Sequence, residues 1–90
     1  MEDRFVEFSN EAELEFHKVK CYMDYIGKSE EFWKEVNQQI EYIRQYPEAF
    51  QVRYKMIRIV FLKKFDYSIH YTIKSKGIVV YRFLQKSQEF

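Results

Sequence analysis

Arg58, His70 and Arg82 each occupy a polar position inside a run of apolar residues that alternates with period two. An imidazole beside two guanidinium groups is a set that can act on a phosphodiester. The arginines would neutralise charge on a phosphorane, and the histidine would move a proton. The set works only if all three side chains share one face of a sheet. The simpler reading is that alternate strand positions are polar because they are solvated. Arg53, Lys55, Lys63, Lys64 and Lys86 surround the three in sequence, and with Arg58 and Arg82 they are candidate contacts to an anionic partner. Loop lysines otherwise serve solubility and discourage strand-to-strand association.

These bases belong to an uneven charge distribution. Residues 51–90 hold nine Lys or Arg against Asp66 and Glu89, a net +7, whereas residues 1–50 hold six bases against twelve acids, a net −6. The total of +1 hides this asymmetry, which points to an anionic partner such as nucleic acid or an acidic protein segment. Tyr54, Tyr67, Tyr71 and Tyr81 interleave with the bases, as stacking residues do in RNA readers. The pleat nevertheless assigns Tyr67, Tyr71 and Tyr81 to the core face.

The elements that must position these residues follow from periodicity. Arg4–Phe8 reads as a short first strand. Ser9 and Asn10 offer N-caps, with Glu13 completing an Asn form of the capping box. Ala12, Phe16, Val19, Met23 and Ile26 then form the stripe of a helix over 11–26 that Gly27 stops. A second helix begins at Ser29, with Glu30 and Glu31 in its first turn. It carries Trp33, Val36, Ile40 and Ile43 as its stripe and is ended by Pro47. The period then becomes twofold over Ile57–Leu62, Tyr67–Ile73 and Ile78–Leu84, joined by links of about four residues that suit antiparallel hairpins. The expected fold is a single α+β domain over residues 1–90. A strand, an antiparallel helix hairpin and a three-stranded meander follow in the order β-α-α-β-β-β, with the helices on one face of the sheet. The other face would present Arg58, Ser68, His70, Thr72 and Arg82.

Nine Phe, eight Tyr and one Trp among ninety residues, with two Gly and one Pro, supply the large buried areas that a small domain needs. The single cysteine, Cys21, excludes an internal disulfide framework, and no Cys or His residues stand at metal-ligand spacing. Neither a metal nor another cofactor is expected. The longest apolar runs are four residues, far below the roughly 20 of a membrane-spanning helix. No signal-peptide pattern opens the chain, so a cytoplasmic location is expected.

The run from Ile40 to Ile73 resembles the RelE/ParE superfamily of toxins from bacterial type II toxin–antitoxin (plasmid stabilisation) systems. The matching positions are Ile40, Ile43, Pro47, Phe50, Ile57, Arg58, Leu62, Lys64, Phe65, Tyr67, Ile69, Tyr71 and Ile73. The resemblance is clear over 32–83 and weaker over 1–28, and the order of elements is also the family's. It implies a growth-inhibiting toxin neutralised by a cognate antitoxin. Such a toxin acts either on DNA gyrase or on ribosome-bound mRNA as a metal-independent interferase, and a homodimer is open. Two departures stand out: Asp66 occupies a position where many members have Pro, and Gln85 and Gln88 stand where the family often has His and Arg. In nuclease members basic residues near this end are implicated in RNA cleavage. The alternative function is a non-toxic module that docks a protein or nucleic acid through the basic sheet face.

Overall fold

The computed structural model describes residues 5–86; Arg4 and the Gln88 position lie outside them. The chain runs β1 (Phe5–Phe8), α1 (Asn10–Tyr25), α2 (Ser29–Gln45), β2 (Val52–Tyr54), β3 (Ile57–Phe61), β4 (Tyr67–Lys74) and β5 (Gly77–Gln85). One five-stranded sheet has the order β1-β5-β4-β3-β2, with β1 parallel to β5 and the remaining pairs antiparallel. The expected α+β fold, with both helices on one face, is the observed one.

Each helix boundary has a local cause. Ser9, rather than Asn10, is the N-cap of α1: its Oγ accepts from the Ala12 N–H at 3.0 Å. The same hydroxyl donates to the Tyr81 carbonyl at 2.6 Å, so one side chain ties the start of α1 to β5. Gly27 ends the helix at φ +74°, in the left-handed conformation a C-terminal glycine adopts cheaply. The stripe of α1 buries Ala12 and Met23, while Ile26 stays 39% exposed. In α2 the fully buried aromatic is Phe32 rather than Trp33, followed inward by Glu35, Val36 and Ile43. Phe16, Phe32 and Phe83 meet with ring centroids 5.4–5.9 Å apart, and Tyr67 stacks on Phe83 at 5.6 Å. These edge and stacked contacts are the favoured aromatic geometries, and they join both helices to the sheet.

The sheet corrects the sequence reading in three places. First, β2 is an additional strand. It is three residues long and returns into β3 through Lys55 and Met56, whose φ angles are 43° and 65°. A two-residue hairpin with both φ values positive normally uses Asn-Gly or Asp-Gly, so Lys-Met carries no turn signal. Second, the phase of β3 is inverted. Arg58 pairs with Tyr71 and Val60 with Ile69, and Val60, Leu62, Ile69 and Tyr71 belong to the helix-facing core. Ile57 and Ile59 lie on the far side and are themselves 7% and 4% exposed. The run from Ile57 to Leu62 is apolar on both phases apart from Arg58, so alternation cannot orient it. Third, β5 is bulged. His70 pairs with Arg82 and the adjacent Tyr71 with Val80. Tyr81 is therefore the extra residue, and it is 45% exposed instead of facing the core.

Two stability predictions follow. A Cβ on Gly77 would stand 2.3 Å from the Phe5 carbonyl oxygen, so Gly77→Ala must displace β1 and should cost about 2–3 kcal/mol by the usual overpacking scale. Replacing Lys55-Met56 with Asn-Gly should stabilise the chain by about 1 kcal/mol through relief of positive-φ strain. Urea unfolding midpoints measure both.

Candidate functional site

The far face of the sheet carries a buried chain of polar side chains. Ser68 and His70 are wholly inaccessible. The Ser68 hydroxyl gives its single hydrogen to the Leu84 carbonyl at 3.3 Å and therefore accepts from His70 Nε2 at 3.1 Å. That assigns the imidazole hydrogen to Nε2 and leaves Nδ1 to accept from the Tyr54 hydroxyl at 3.0 Å. Burial foremost, with the nearby Arg82 charge, lowers the His70 pKa to about 4, Glu15 partly opposing them. Burial raises the Tyr54 pKa, assisted by Tyr81 and opposed by Arg82. The histidine is thus neutral at pH 7, with both ring nitrogens engaged inside the protein.

Arg82 lies beside His70 by strand register, and its guanidinium is held by Glu15 of α1. Glu15 Oε2 accepts from Arg82 Nε at 2.8 Å and from Nη2 at 2.5 Å, and Oε1 accepts from the Phe83 backbone N–H at 2.9 Å. Arg58 is on the opposite, helix-side face. Its Nη1 donates to the carbonyls of Phe50 at 2.6 Å and Glu48 at 3.4 Å, beside Tyr71, whose hydroxyl donates to the Pro47 carbonyl at 2.6 Å. Burial pushes the Tyr71 pKa up to about 12, against the opposing charge of Arg58. The structure therefore brings His70 and Arg82 together and separates Arg58 from both. Ser68 and His70 are buried, so the far face is not the open polar surface expected from alternation.

The remaining bases gather at the two ends of the sheet. At one end Lys63 and Lys64 are exposed in the β3–β4 loop. Lys86 packs beside them, its Nζ donating to the Leu62 carbonyl at 2.6 Å and lying 5.9 Å from the Phe61 ring centre. The loop is fixed from below: buried Glu35 of α2 accepts from the Lys63 N–H and, at 2.9 Å, from the Lys64 N–H. At the other end exposed Arg53 and Lys55 stand near Lys74 and Lys76, and Thr72 Oγ1 donates to the Met56 carbonyl at 3.1 Å across the two turns.

Sequence reasoning missed Glu15 and Glu35. Each stands three residues after a fully buried residue, Ala12 and Phe32 respectively, and just before the next stripe residue. An acid at such a core position is the available signal that it has inward partners. A separate groove of about 760 Å³ opens between the helices, walled by Phe8, Leu14, Phe16, Trp33, Val36 and Ile40. Among the described residues no three His, Cys, Asp or Glu side chains gather as metal donors, and no helix is long and apolar enough to cross a membrane.

A strand, a helix hairpin and an antiparallel meander, with charge at the sheet ends and a sealed polar network within, define a small α+β protein. The same architecture occurs in a chain of the solved structure described as "Chromosomal ParDE TA system from P. aeruginosa". The TM-score is 0.73 at 15% identity, and the alignment covers 91% of this chain and 95% of that one. At this identity the likeness is one of fold. No protein-family model matches the chain, and no curated protein does.

His70 sets a pH prediction. The unfolded imidazole takes a proton near 6.5, whereas the folded one does so only near 4. The unfolded state therefore binds more protons across that window, and stability present above pH 6.5 is lost as pH falls towards 4. The expected loss is about 2 kcal/mol between pH 7 and 5, and it should vanish in His70→Asn. A wild-type profile as flat as the variant's would mean that His70 titrates near its ordinary value.

Proposed function

We propose that this chain is the toxin component of a type II toxin–antitoxin module and acts by binding its target, in the manner of a gyrase poison, under the control of a cognate antitoxin. The observation that carries the reading is the fold shared with a ParDE chain over nine-tenths of both molecules. The residue pattern from Ile40 to Ile73 supports it independently.

Geometry favours binding over RNA cleavage. A metal-independent nuclease needs a proton carrier that reaches its substrate. His70 is sealed, Arg82 is neutralised by Glu15, and Arg58 points to the other face. Gln85 adds no titratable group at the end of β5. The exposed bases Arg53, Lys55, Lys63 and Lys64, with Lys86, are the proposed contacts to the target or antitoxin, and Arg58 is given a structural role. The antitoxin would seat apolar side chains in the groove between the helices and acidic ones at a lysine-rich end. Cleavage of ribosome-bound mRNA is the second reading within the same class. A non-toxic docking module on this scaffold is the alternative outside it.

Induced expression in a bacterium should arrest growth, switch on the DNA-damage response and leave transcripts intact in primer-extension maps. Arg53→Glu with Lys55→Glu, or Lys63→Glu with Lys64→Glu, should restore growth at unchanged soluble protein level. Arrest with mapped mRNA cuts would transfer the assignment to the interferase reading. Normal growth at high soluble expression would leave the docking module.

A further inference from the structure

β3 has an incomplete outer edge. β2 covers it only through the pairs Val52↔Arg58 and Tyr54↔Ile57, and on the N-terminal side of Val52 the chain leads back to Phe50. The Leu62 N–H donates to the Tyr67 carbonyl, so by the alternation of an antiparallel ladder the peptide groups of Leu62 and Val60 face β4, whereas those of Phe61 face outward. Over this edge lies a groove of about 400 Å³. Gln38, Gln39 and Tyr42 of α2 form one wall, and Phe50, Phe61 and Lys63 form the other.

The lining specifies a ligand chemistry. Tyr42 and Phe61 are 45% and 41% exposed, with Tyr46 tilted against the first at 5.3 Å and the Lys86 ammonium 5.9 Å from the centre of the second. Tyr42 and Phe50 stand edge to face with centroids 5.6 Å apart, a rigid aromatic corner. The amides of Gln38 and Gln39 and the outward peptide groups of Phe61 each offer a donor and an acceptor, the combination a heterocycle edge requires. Lys63 stands at one mouth, followed in the same loop by exposed Lys64, and the Glu35 carboxylate beneath accepts from the backbone N–H of both. Planar stacking surfaces, amide readers and adjacent cations are the elements by which proteins hold unpaired bases and their phosphates.

We propose that this groove is a binding site for one base of a single-stranded nucleic acid, stacked against Phe61 and Tyr42, with its phosphate at Lys63 and Lys64. The main competitor, an acidic peptide adding a strand to β3, fits less well. The open edge spans only Ile59–Phe61, about 10 Å, and is closed by β2 at one end and the Lys63–Asp66 loop at the other. A single ring fits that length better than a ladder. The site is separate from the His70 network and does not rest on the toxin reading, since a chain without toxicity could still bind here.

The test is fluorescence anisotropy of the purified full chain with labelled octanucleotides of uridine and of deoxythymidine at low and physiological salt, with amide NMR to locate the contact. Binding should weaken as salt rises and should perturb the amides of Gln38, Gln39, Phe61 and Lys63. Phe61→Leu should raise Kd about tenfold, the scale of one lost base stack. Lys63→Gln with Lys64→Gln should raise it and flatten the salt dependence. Retained amide dispersion in each variant separates lost binding from lost folding. Equal affinity for the two sugars would assign recognition to base and phosphate, and a preference for RNA would add a contact to the 2′-hydroxyl; either supports the site. No saturable binding at low salt, perturbations confined to the Lys55, Lys74 and Lys76 end, or an acidic peptide perturbing these amides while the oligonucleotides do not would each overturn the proposal.

Discussion

The backbone of β5 beyond Val80 is the constraint around which the molecule is arranged. β1 pairs with β5 only from Gly77 to Val80, yet β5 continues to Gln85, and buried peptide groups left without partners are costly. α1 supplies the missing partners. The Ser9 N–H donates to the Val80 carbonyl, the Ser9 hydroxyl to the Tyr81 carbonyl, and Glu15 accepts from the Phe83 N–H. The helix must therefore begin at Ser9 and lie along the edge of β5, which delivers Ala12 and Phe16 into the core. α2 repeats the device at the β3–β4 loop through Glu35. Two carboxylates thus fix the positions of both helices on the sheet, and aromatic packing fills the space they define.

What was legible in the sequence is what has an unambiguous period or a strong breaker. The helices, their order, the stop at Gly27 and the three long strands follow from those signals. Phe32 was hidden because Trp33 occupies the neighbouring helical angle and is the larger apolar side chain, and only the sheet decides which faces inward. The phase of β3 was hidden because both of its faces are buried. β2 was hidden because three residues carry no period and its turn uses Lys55 and Met56. The candidate site was legible in its residue types but not in its grouping. His70 and Arg82 share a face, and Arg58 does not, because the same inversion of β3 moves it to the helix side.

The charge asymmetry between the halves of the sequence becomes an arrangement of poles. In a meander the connecting turns alternate between the two ends of the sheet, and most of the lysines occur in turns. Lys55, Lys74 and Lys76 collect at one end and Lys63, Lys64 and Lys86 at the other, separated by a five-residue strand or about 17 Å. This exceeds the Debye length of about 8 Å at physiological salt, so the exposed charges at one end are largely screened from those at the other.

The extra residue at Tyr81 acts as a phase converter. On its N-terminal side β5 turns Ile78 and Val80 to the helices; past it, Phe83 takes that duty while Arg82 and Leu84 turn away. A strand of strict alternation would place Arg82 among the buried aromatics and leave Phe83 on the far face. Removing Tyr81 would straighten the strand and leave Arg82 and Phe83 on the faces they now hold, whereas pairing the full sequence without the bulge would exchange the environments of a cation and a core ring. The reading frame of the pleat, more than the identity of any single side chain, is what keeps Arg82 next to His70.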